Sequence, residues 1–450
     1  MLLLLCLLTF EPYYFIHYSD PQIGRNVAAQ PNLAMAVDQI NAMVPPAYFV
    51  IVVGDMGNNP GDQSLVYLQW QICDSLFGLL PMPKYYIPGN NDIGYEDEAC
   101  WTPAMLQFYR DFWGPDYYSF DADSCHFLAL NSTLLDTYSP HPCYPYSLEQ
   151  DSFIHWDLQN IQSQEYKHIF FFFHFPLYLI SPNDPNGHAV VDRPRRDTIL
   201  QYLTEYGVTS VFTGHWHLDY MNFYWPSLLQ TGIATCKVDP PVGYRVVKVF
   251  ENGIETFTIY LPDPVDTLPL VNIVAAAVDQ DTVEVNIPVS FTCVVDSLNF
   301  PDWSNLSFKW IFGDGDSSIV PNTAHAYTDT GHYQVDFAAY ELHDKCALYQ
   351  FEIVVEEEVY VEEHVPVGVS DPLIRIHAFQ RVVELEVTES AFMTLDLFQT
   401  DGRLLTRLLD CHVEKGFHRI ELNENIPSGV YFFRLSTPNE SLVRKHVLIH

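Results

Sequence analysis

Three times in the first half of the chain a short strand-like run, unbroken and apolar in the first two cases, stops at a residue type that binds metals, or at a glycine just before one. Tyr48 to Val53 (YFVIVV) runs into Gly54-Asp55, Ile169 to Phe173 (IFFFF) into His174, and Val208 to Thr213 into Gly214-His215. Runs this short and continuous read as strands buried on both faces, which need cover on both sides. Helical spacing supplies the cover. Leu65, Leu68, Ile72 and Leu76 predict a helix over Gln63 to Phe77, and a second is expected at Arg195 to Tyr206. Tyr13 to about Leu261 is therefore α/β, and in an open α/β sheet the residues beyond the carboxyl ends of the strands share one crevice.

The remainder of the 450 residues has a different texture. Leu261 to Leu270 is rich in Pro and Asp, and after it helical spacing gives way to short β-rich runs at Val283 to Val289, Phe291 to Val295, Phe308 to Phe312 and Tyr333 to Phe337. A run of Glu356, Glu357, Glu358, Glu362 and Glu363 then marks a boundary, a solvated linker or an exposed strand. The expected organisation is a short apolar signal-like start over 1–10, an α/β domain over 11–265, a β-sandwich over 270–357, an acidic linker over 358–370 and a second β-rich domain over 371–450.

Charge and apolar run length exclude several functions. Lys+Arg 21 against Asp+Glu 57 gives a net charge of −36, which repels nucleic-acid phosphates, so no nucleic-acid scaffold is expected as a partner. The apolar run Leu2 to Leu8 is about half of what a bilayer requires, so no transmembrane span is expected, though export is. The 9 cysteines form no CxxC pair, which argues against a thiolate zinc cage and for buried thiols.

Five motifs place hard or borderline ligands at predicted strand ends: Asp20-Pro-Gln22, Gly54-Asp55-Met-Gly-Asn58, Gly89-Asn90-Asn91-Asp92, His174 and Gly214-His215-Trp-His217. Carboxylate and imidazole together suit Fe, Mn or Zn, and one carboxylate can bridge two cations. The glycines before Asp55, Asn90 and His215 are expected to turn the chain sharply off each strand. Singly each motif is a common short string; their order is what carries the signal.

That order resembles the calcineurin-like metallophosphoesterase superfamily, with its D-x-H, G-D-x-x, G-N-H-D/E, strand-end His and G-H-x-H motifs, and Asp20-Pro-Gln22 is similar to its D-P-Q branch. The resemblance implies an α/β metallophosphoesterase sandwich followed by two small all-β sandwich domains. It implies a phosphate ester substrate, two divalent or trivalent metal ions (Fe, Mn or Zn) and a metal-bound hydroxide as nucleophile. Carried over residue by residue, Asp20, Gln22, Asp55 and His217 hold the first metal, and Asp55, Asn90, His174 and His215 the second, with Asn91, Asp92 and Asp55 as the catalytic group. Gln22 and Asn91 stand where the family usually has histidines. An amide is a weaker ligand than imidazole and no general acid, so the competing reading is an adhesion or binding protein built on a degenerate phosphoesterase domain.

Arg193, Arg195 and His188, in the segment before the His215 motif, are candidates to clamp substrate phosphate; a solvated helix start is the ordinary alternative. Trp310-Ile-Phe-Gly-Asp-Gly-Asp316, His325-Ala-Tyr327 and Gly331-His-Tyr333-Gln-Val335 resemble a PKD domain. Its acidic turn is read as turn chemistry or calcium binding, and Cys293 and Cys346 as a cross-sandwich pair or as free thiols. The last 80 residues, with Ile426-Pro-Ser-Gly429-Val-Tyr431 and Arg444-Lys445, resemble the C-terminal sorting domain of the type IX secretion system of Bacteroidetes. That implies an outer-membrane translocon as partner, and a secreted or surface-held protein; the competing reading is a plain sandwich-type adhesion module.

Overall fold

The computed structural model describes residues 10–95, 98–187, 190–239, 241–263, 267–356, 374–379, 382–387, 390–399, 403–422, 426, 429–437 and 441–448. Leu2 to Leu8, His188 and Glu357, Glu358, Glu362 and Glu363 lie outside the described residues. The chain divides into two units, 1–359 and 360–450. In chain order the first begins β1 (Tyr13–Tyr18), α1 (Ala29–Ala42), β2 (Phe49–Val53), α2 (Gln63–Phe77), β3 (Lys84–Ile87), α3 (Asn90–Ile93), α4 (Pro103–Trp113), β4 (Tyr118–Ala122), β5 (Cys125–Ala129) and α5 (Ser132–Leu135). It continues α6 (Tyr144–Ile161), β6 (His168–Phe172), α7 (Arg195–Glu205), β7 (Ser210–Thr213), β8 (Tyr220–Tyr224), β9 (Ser227–Thr231), β10 (Gly243–Phe250) and β11 (Gly253–Tyr260).

Two sheets face each other. In one, β1, β2 and β3 are parallel and β10 and β11 follow antiparallel beside β1; in the other, β5, β6, β7 and β9 are parallel, flanked by β4 and β8. The layer between them is largely phenylalanine: Phe15, Phe49, Phe127, Phe170, Phe172 and Phe212 are buried there. Phe15 stacks on Phe49 at 4.9 Å and Phe172 on Phe212 at 5.0 Å. Burying each such ring contributes about 1.5 to 3 kcal/mol. Strand alternation sends Phe171 and Phe173 the other way, into a cluster with Ile154 and Leu158 of α6 and Leu200 of α7. This is why the IFFFF run is apolar at every position. On the far face of the first sheet, Ile16 and Val50 meet Leu33 and Val37 of α1 and Trp70 of α2. Asp62 caps α2 by accepting from Ser64 N and Leu65 N, both at 3.1 Å. The aromatics of α4 are packing: Phe108 and Tyr109 lie 5.4 and 5.8 Å from the Trp70 ring.

The following strands are β12 (Val274–Val278), β13 (Thr282–Glu284), β14 (Pro288–Val295), β15 (Ser307–Ile311), β16 (Ser317–Ser318), β17 (Thr323–Ala326), β18 (Gly331–Glu341) and β19 (Lys345–Glu356). The strand expected over Val283 to Val289 is interrupted at Asn286, whose φ of 65° is left-handed. Cys293 and Cys346 are both free, because Cys293 faces the core of this small sandwich and Cys346 faces the phenylalanine layer. Asp314 makes a turn contact, accepting from Asp316 N at 3.0 Å, and pairs with His325 at 2.6 Å. The Pro-rich stretch is not where the sheet ends. β19 pairs antiparallel with β11, from Gly253 opposite Tyr349 to Phe257 opposite Lys345, so one sheet runs β16-β15-β18-β19-β11-β10-β1-β2-β3.

The second unit, taken by itself, is all β among the described residues. A three-stranded sheet (Ile374–Phe379, Val382–Val387, Gly416–Glu421) and a four-stranded one (Leu404–Val413, Ala391–Gln399, Gly429–Ser436, Ser441–Leu448) share Val383, Leu385, Met393, Leu395 and Phe433 as core. Among the described residues no helix is long and apolar enough to cross a membrane.

An unpaired apolar edge invites association, so the shared sheet predicts different outcomes for two truncations. A chain ending at residue 359 is expected to elute as a single species and to melt within about 2 °C of the corresponding transition of the full chain. A chain ending at 265, with β11 uncovered, is expected to aggregate in the same size-exclusion experiment.

Candidate metal centre

The parallel strands deliver the motif residues to one place. Asp20 follows β1, Asp55 follows β2, Asn90 follows β3, His174 follows β6, and His215 and His217 follow β7. Asp20, Asp55 and His217 each bring a ligand atom within 4.8 Å of the others. His217 Nε2 is 3.1 Å from Asp20 Oδ1, and His174 Nε2 is 3.3 Å from Asp55 Oδ1 and 3.9 Å from Asp20 Oδ1. The His174 and His215 rings are 5.2 Å apart.

The local backbone is built for this convergence. Asp20, Gln22, Asp55, His215 and His217 all have φ between 36° and 72°, a region that side chains avoid without tertiary support. Gly54 does turn the chain, with φ of +79°. Gly89 serves differently: a Cβ there would lie 2.2 Å from Asp55 Oδ1, so the residue is glycine because a carboxylate passes against it. His174 Nδ1 donates to the Val53 carbonyl at 2.9 Å, which points Nε2 at the carboxylates.

The centre fits a cation on its own observations. Asn90 Oδ1 is a buried acceptor without a hydrogen-bond partner, and the buried His174 Nε2 faces the Asp55 carboxylate at 3.3 Å, where loss of its proton would free a lone pair. Two carboxylates, Asp20 and Asp55, are buried beside them. Burial opposes charge on His174, yet the Asp55 and Asp20 carboxylates raise its pKa to about 9. Burial likewise opposes charge on His217, and Asp20 raises it to about 10. Burial would lift the Asp55 carboxyl, but His174 and the Asn91 hydrogen bond hold it well below the usual range.

Several predicted residues sit otherwise than expected. Asp92 points inward: its carboxylate accepts from Gly57 N at 2.9 Å, Gly89 N at 3.0 Å, Met56 N at 3.2 Å and Trp70 Nε1 at 3.0 Å, clamping the Asp55 and Asn90 loops together. Asn91 faces Asp55, donating to it through its backbone N (2.8 Å) and Nδ2 (2.7 Å). Gln22 turns its Nε2 to Asp55 at 2.7 Å, while its Oε1 accepts from Arg25 at 2.6 Å and from the Cys236 thiol at 3.2 Å, so its oxygen is not offered to the cluster. Arg193 binds Asn183, the Pro182 carbonyl and Asp197, and Arg195 pairs with Asp151 and Ser147, because the start of α7 packs along these neighbours. Arg25, Cys236 and Trp70 were not singled out from sequence; position alone, three residues past Gln22, was the available signal for Arg25.

Residues 13–219 match the family model of calcineurin-like phosphoesterases, and residues 272–341 that of the PKD domain. The chain carries a calcineurin-like phosphoesterase domain followed by a PKD domain. Serine/threonine-protein phosphatase CPPED1 of Danio rerio is 27% identical over 262 residues, covering 54% of this chain and 83% of that protein. The Homo sapiens protein of the same name is 26% identical over 261 residues, covering 53% and 80%. Among solved structures, purple acid phosphatase PPD1 from yellow lupin (Lupinus luteus) seeds aligns with a TM-score of 0.42 and 14% identity over 58% of this chain and 57% of that one. The phosphoesterase domain makes the chain a metal-dependent phosphoester hydrolase, of a family that uses a dinuclear metal site.

Metals bind neutral imidazole, so an ion that takes His174 and His217 as ligands would displace the protons that their raised pKa values keep on them at pH 7.5. Calorimetric titration of metal-free protein with Mn²⁺ in buffers of different ionisation enthalpy is expected to report release of about one to two protons. No release would contradict the raised values. Without metal, these protons stabilise the fold fully below pH 6.5, and that contribution is lost as pH rises through about 9 and 10.

Proposed function

We propose that the strand-end residues hold two metal ions with Asp55 between them: Asp20, Asp55 and His217 on one side, Asp55, Asn90, His174 and His215 on the other. The carrying observation is the convergence of ligand atoms from Asp20, Asp55 and His217 within 4.8 Å, with His174 Nε2 3.3 Å from Asp55 and the buried Asn90 Oδ1 without a hydrogen-bond partner beside them. Mn, Fe or Zn bound there would polarise the phosphoryl group and acidify water. The chain's own residues do the rest. Gln22 Nε2 and Asn91 Nδ2 both donate to Asp55 Oδ2 at 2.7 Å and fix the orientation of the carboxylate. Gln22 is thus an orienting group rather than a ligand. Exposed Arg25, tethered through one nitrogen to Gln22, is the guanidinium placed to bind substrate phosphate, in place of Arg193 and Arg195.

The amides of Asn91 and Gln22 cannot protonate a leaving group. Esters whose leaving group departs as an anion, aryl monoesters and aryl diesters, are therefore the favoured substrates. The phosphoprotein substrate suggested by the relatives' name would need a proton supplied from elsewhere. Hydrolysis of nitrophenyl phosphate and bis-nitrophenyl phosphate in Mn²⁺ is the test. Asp55→Asn is expected to lose more than tenfold in kcat/KM, over about 1.4 kcal/mol of barrier, and Arg25→Ala to raise KM more than it lowers kcat. A wild-type protein that takes up metal but hydrolyses neither ester supports the binding-protein reading.

The second unit is proposed as a type IX sorting domain read by the outer-membrane translocon, which makes the enzyme secreted or surface-held in a Bacteroidetes-type bacterium. Supporting this are the Ile426 to Tyr431 and Arg444-Lys445 patterns and the compactness of 360–450 as a unit without any of the motif residues. Deleting Asp371 to His450 is expected to leave active enzyme in the periplasm on cell fractionation. Arrival of the truncated chain at the surface or in the medium overturns the assignment.

A further inference from the structure

His217 is the least enclosed of the three clustered ligand candidates, with its side chain 15% exposed against 0% for Asp20 and 1% for Asp55. It has left-handed φ, on the loop between β7 and β8. The incoming half of that loop is tied to the centre itself: Gly214 N donates to the His174 carbonyl at 2.9 Å and His215 N to Asp20 at 3.0 Å. The outgoing half is tied to the PKD module. Asp219, two residues past His217, pairs with Arg245 of β10, which is 1% exposed and donates also to the Asp344 carbonyl at 3.1 Å. Tyr260 OH donates to Asp219 Oδ2 at 3.0 Å and reaches the His343 carbonyl at 3.4 Å. Met221 N donates to the Leu342 carbonyl at 2.8 Å. Leu342, His343 and Asp344 are the tip of the β18–β19 hairpin.

We infer that this PKD hairpin tip is a positioning element for the metal centre: acting through Arg245 and Asp219, it fixes the loop that brings His217 to Asp20. The inference rests on the reading of His217 as a metal ligand. A ligand in a strained backbone conformation keeps its place only while its surroundings fix it, and here the outgoing hold, Arg245 of β10 and Tyr260 of β11, is itself braced by carbonyls of a module that carries no ligand. Arg245 and Asp219 form a buried ion pair, and the three tip carbonyls complete its surroundings and the start of β8. The PKD module is on this account part of the enzyme rather than a spacer behind it.

The test is made in the full chain. Replacing residues 342–344 by an Asn-Gly turn removes the three carbonyl contacts while Glu341 and Lys345 stay paired. Asp219→Asn removes the charge facing Arg245 at the same shape. Val335→Ala, in the PKD core away from the tip, is the control for general loss of stability. Mn²⁺ affinity and stoichiometry are read by equilibrium dialysis, the visible spectrum on Co²⁺-loaded protein, and folding by thermal denaturation. The tip variant and Asp219→Asn are expected to bind one of two Mn²⁺ ions at least tenfold more weakly and to show an altered Co²⁺ spectrum; Val335→Ala is expected to melt earlier with both affinities unchanged. Wild-type affinity and spectrum in the tip variant overturn the inference, or in Asp219→Asn if the tip variant does not fold. So does an equal loss of affinity in Val335→Ala. A wild-type chain that binds no Mn²⁺ overturns the metal reading itself, before any variant is compared.

Discussion

Two carboxylates, Asp20 and Asp55, are buried within reach of one another, and much of the surrounding structure answers that constraint. Isolated in a low-dielectric interior, charges of the same sign would be forced to take up protons. Instead each carboxylate is met by fixed donors: His215 N on Asp20, and Asn91 N, Asn91 Nδ2 and Gln22 Nε2 on Asp55. The imidazoles of His174 and His217 supply the rest of the compensation as protonated groups, and on the proposed reading they become ligands when metal replaces the proton. Asp92 holds the two loops that make this possible, and its own burial, followed by the nearby Asp55 charge, raises its pKa.

Much of this was legible in the sequence. Helix α2 spans Gln63–Phe77 as expected, although its buried stripe is Val66, Trp70, Cys73 and Phe77 while Leu65 and Leu68 are exposed, and the IFFFF run is a strand with helices on one face and phenylalanines on the other. The five motifs fall at strand ends, because ligands placed after buried strands have few other places to go. The misreadings have a common physical cause. Asp92 looks the same in sequence whether its carboxylate faces a substrate or four inward donors. Gln22 and Asn91 each carry an acceptor and a donor, and only the neighbours decide which is used; here Asp55 takes the donors. Arg195 sits at a helix start and reaches to Ser147 and Asp151 of α6, far away in sequence, while Arg193 folds back on the loop at Pro182 and Asn183.

The junction with the PKD module shows the same limit at larger scale. The Pro-rich stretch from Leu261 to Leu270 marks a change of texture along the chain, but β19 returns past it to pair with β11, and Cys346 and Leu348 enter the phenylalanine layer. Pairing between strands so far apart leaves no local trace. It also changes what the module does mechanically: it closes the open edge of the first sheet and brings its hairpin tip to the loop after β7.

The central claim is that Asp55 lies between two metal ions held by the strand-end residues. Anomalous diffraction from crystals grown with Mn²⁺ tests it most directly. The account predicts two anomalous peaks about 3.5 to 4 Å apart, one beside Asp20 and His217, the other beside Asn90, His174 and His215, with an Asp55 oxygen between them. A single peak, or two peaks placed away from Asp55, would contradict it.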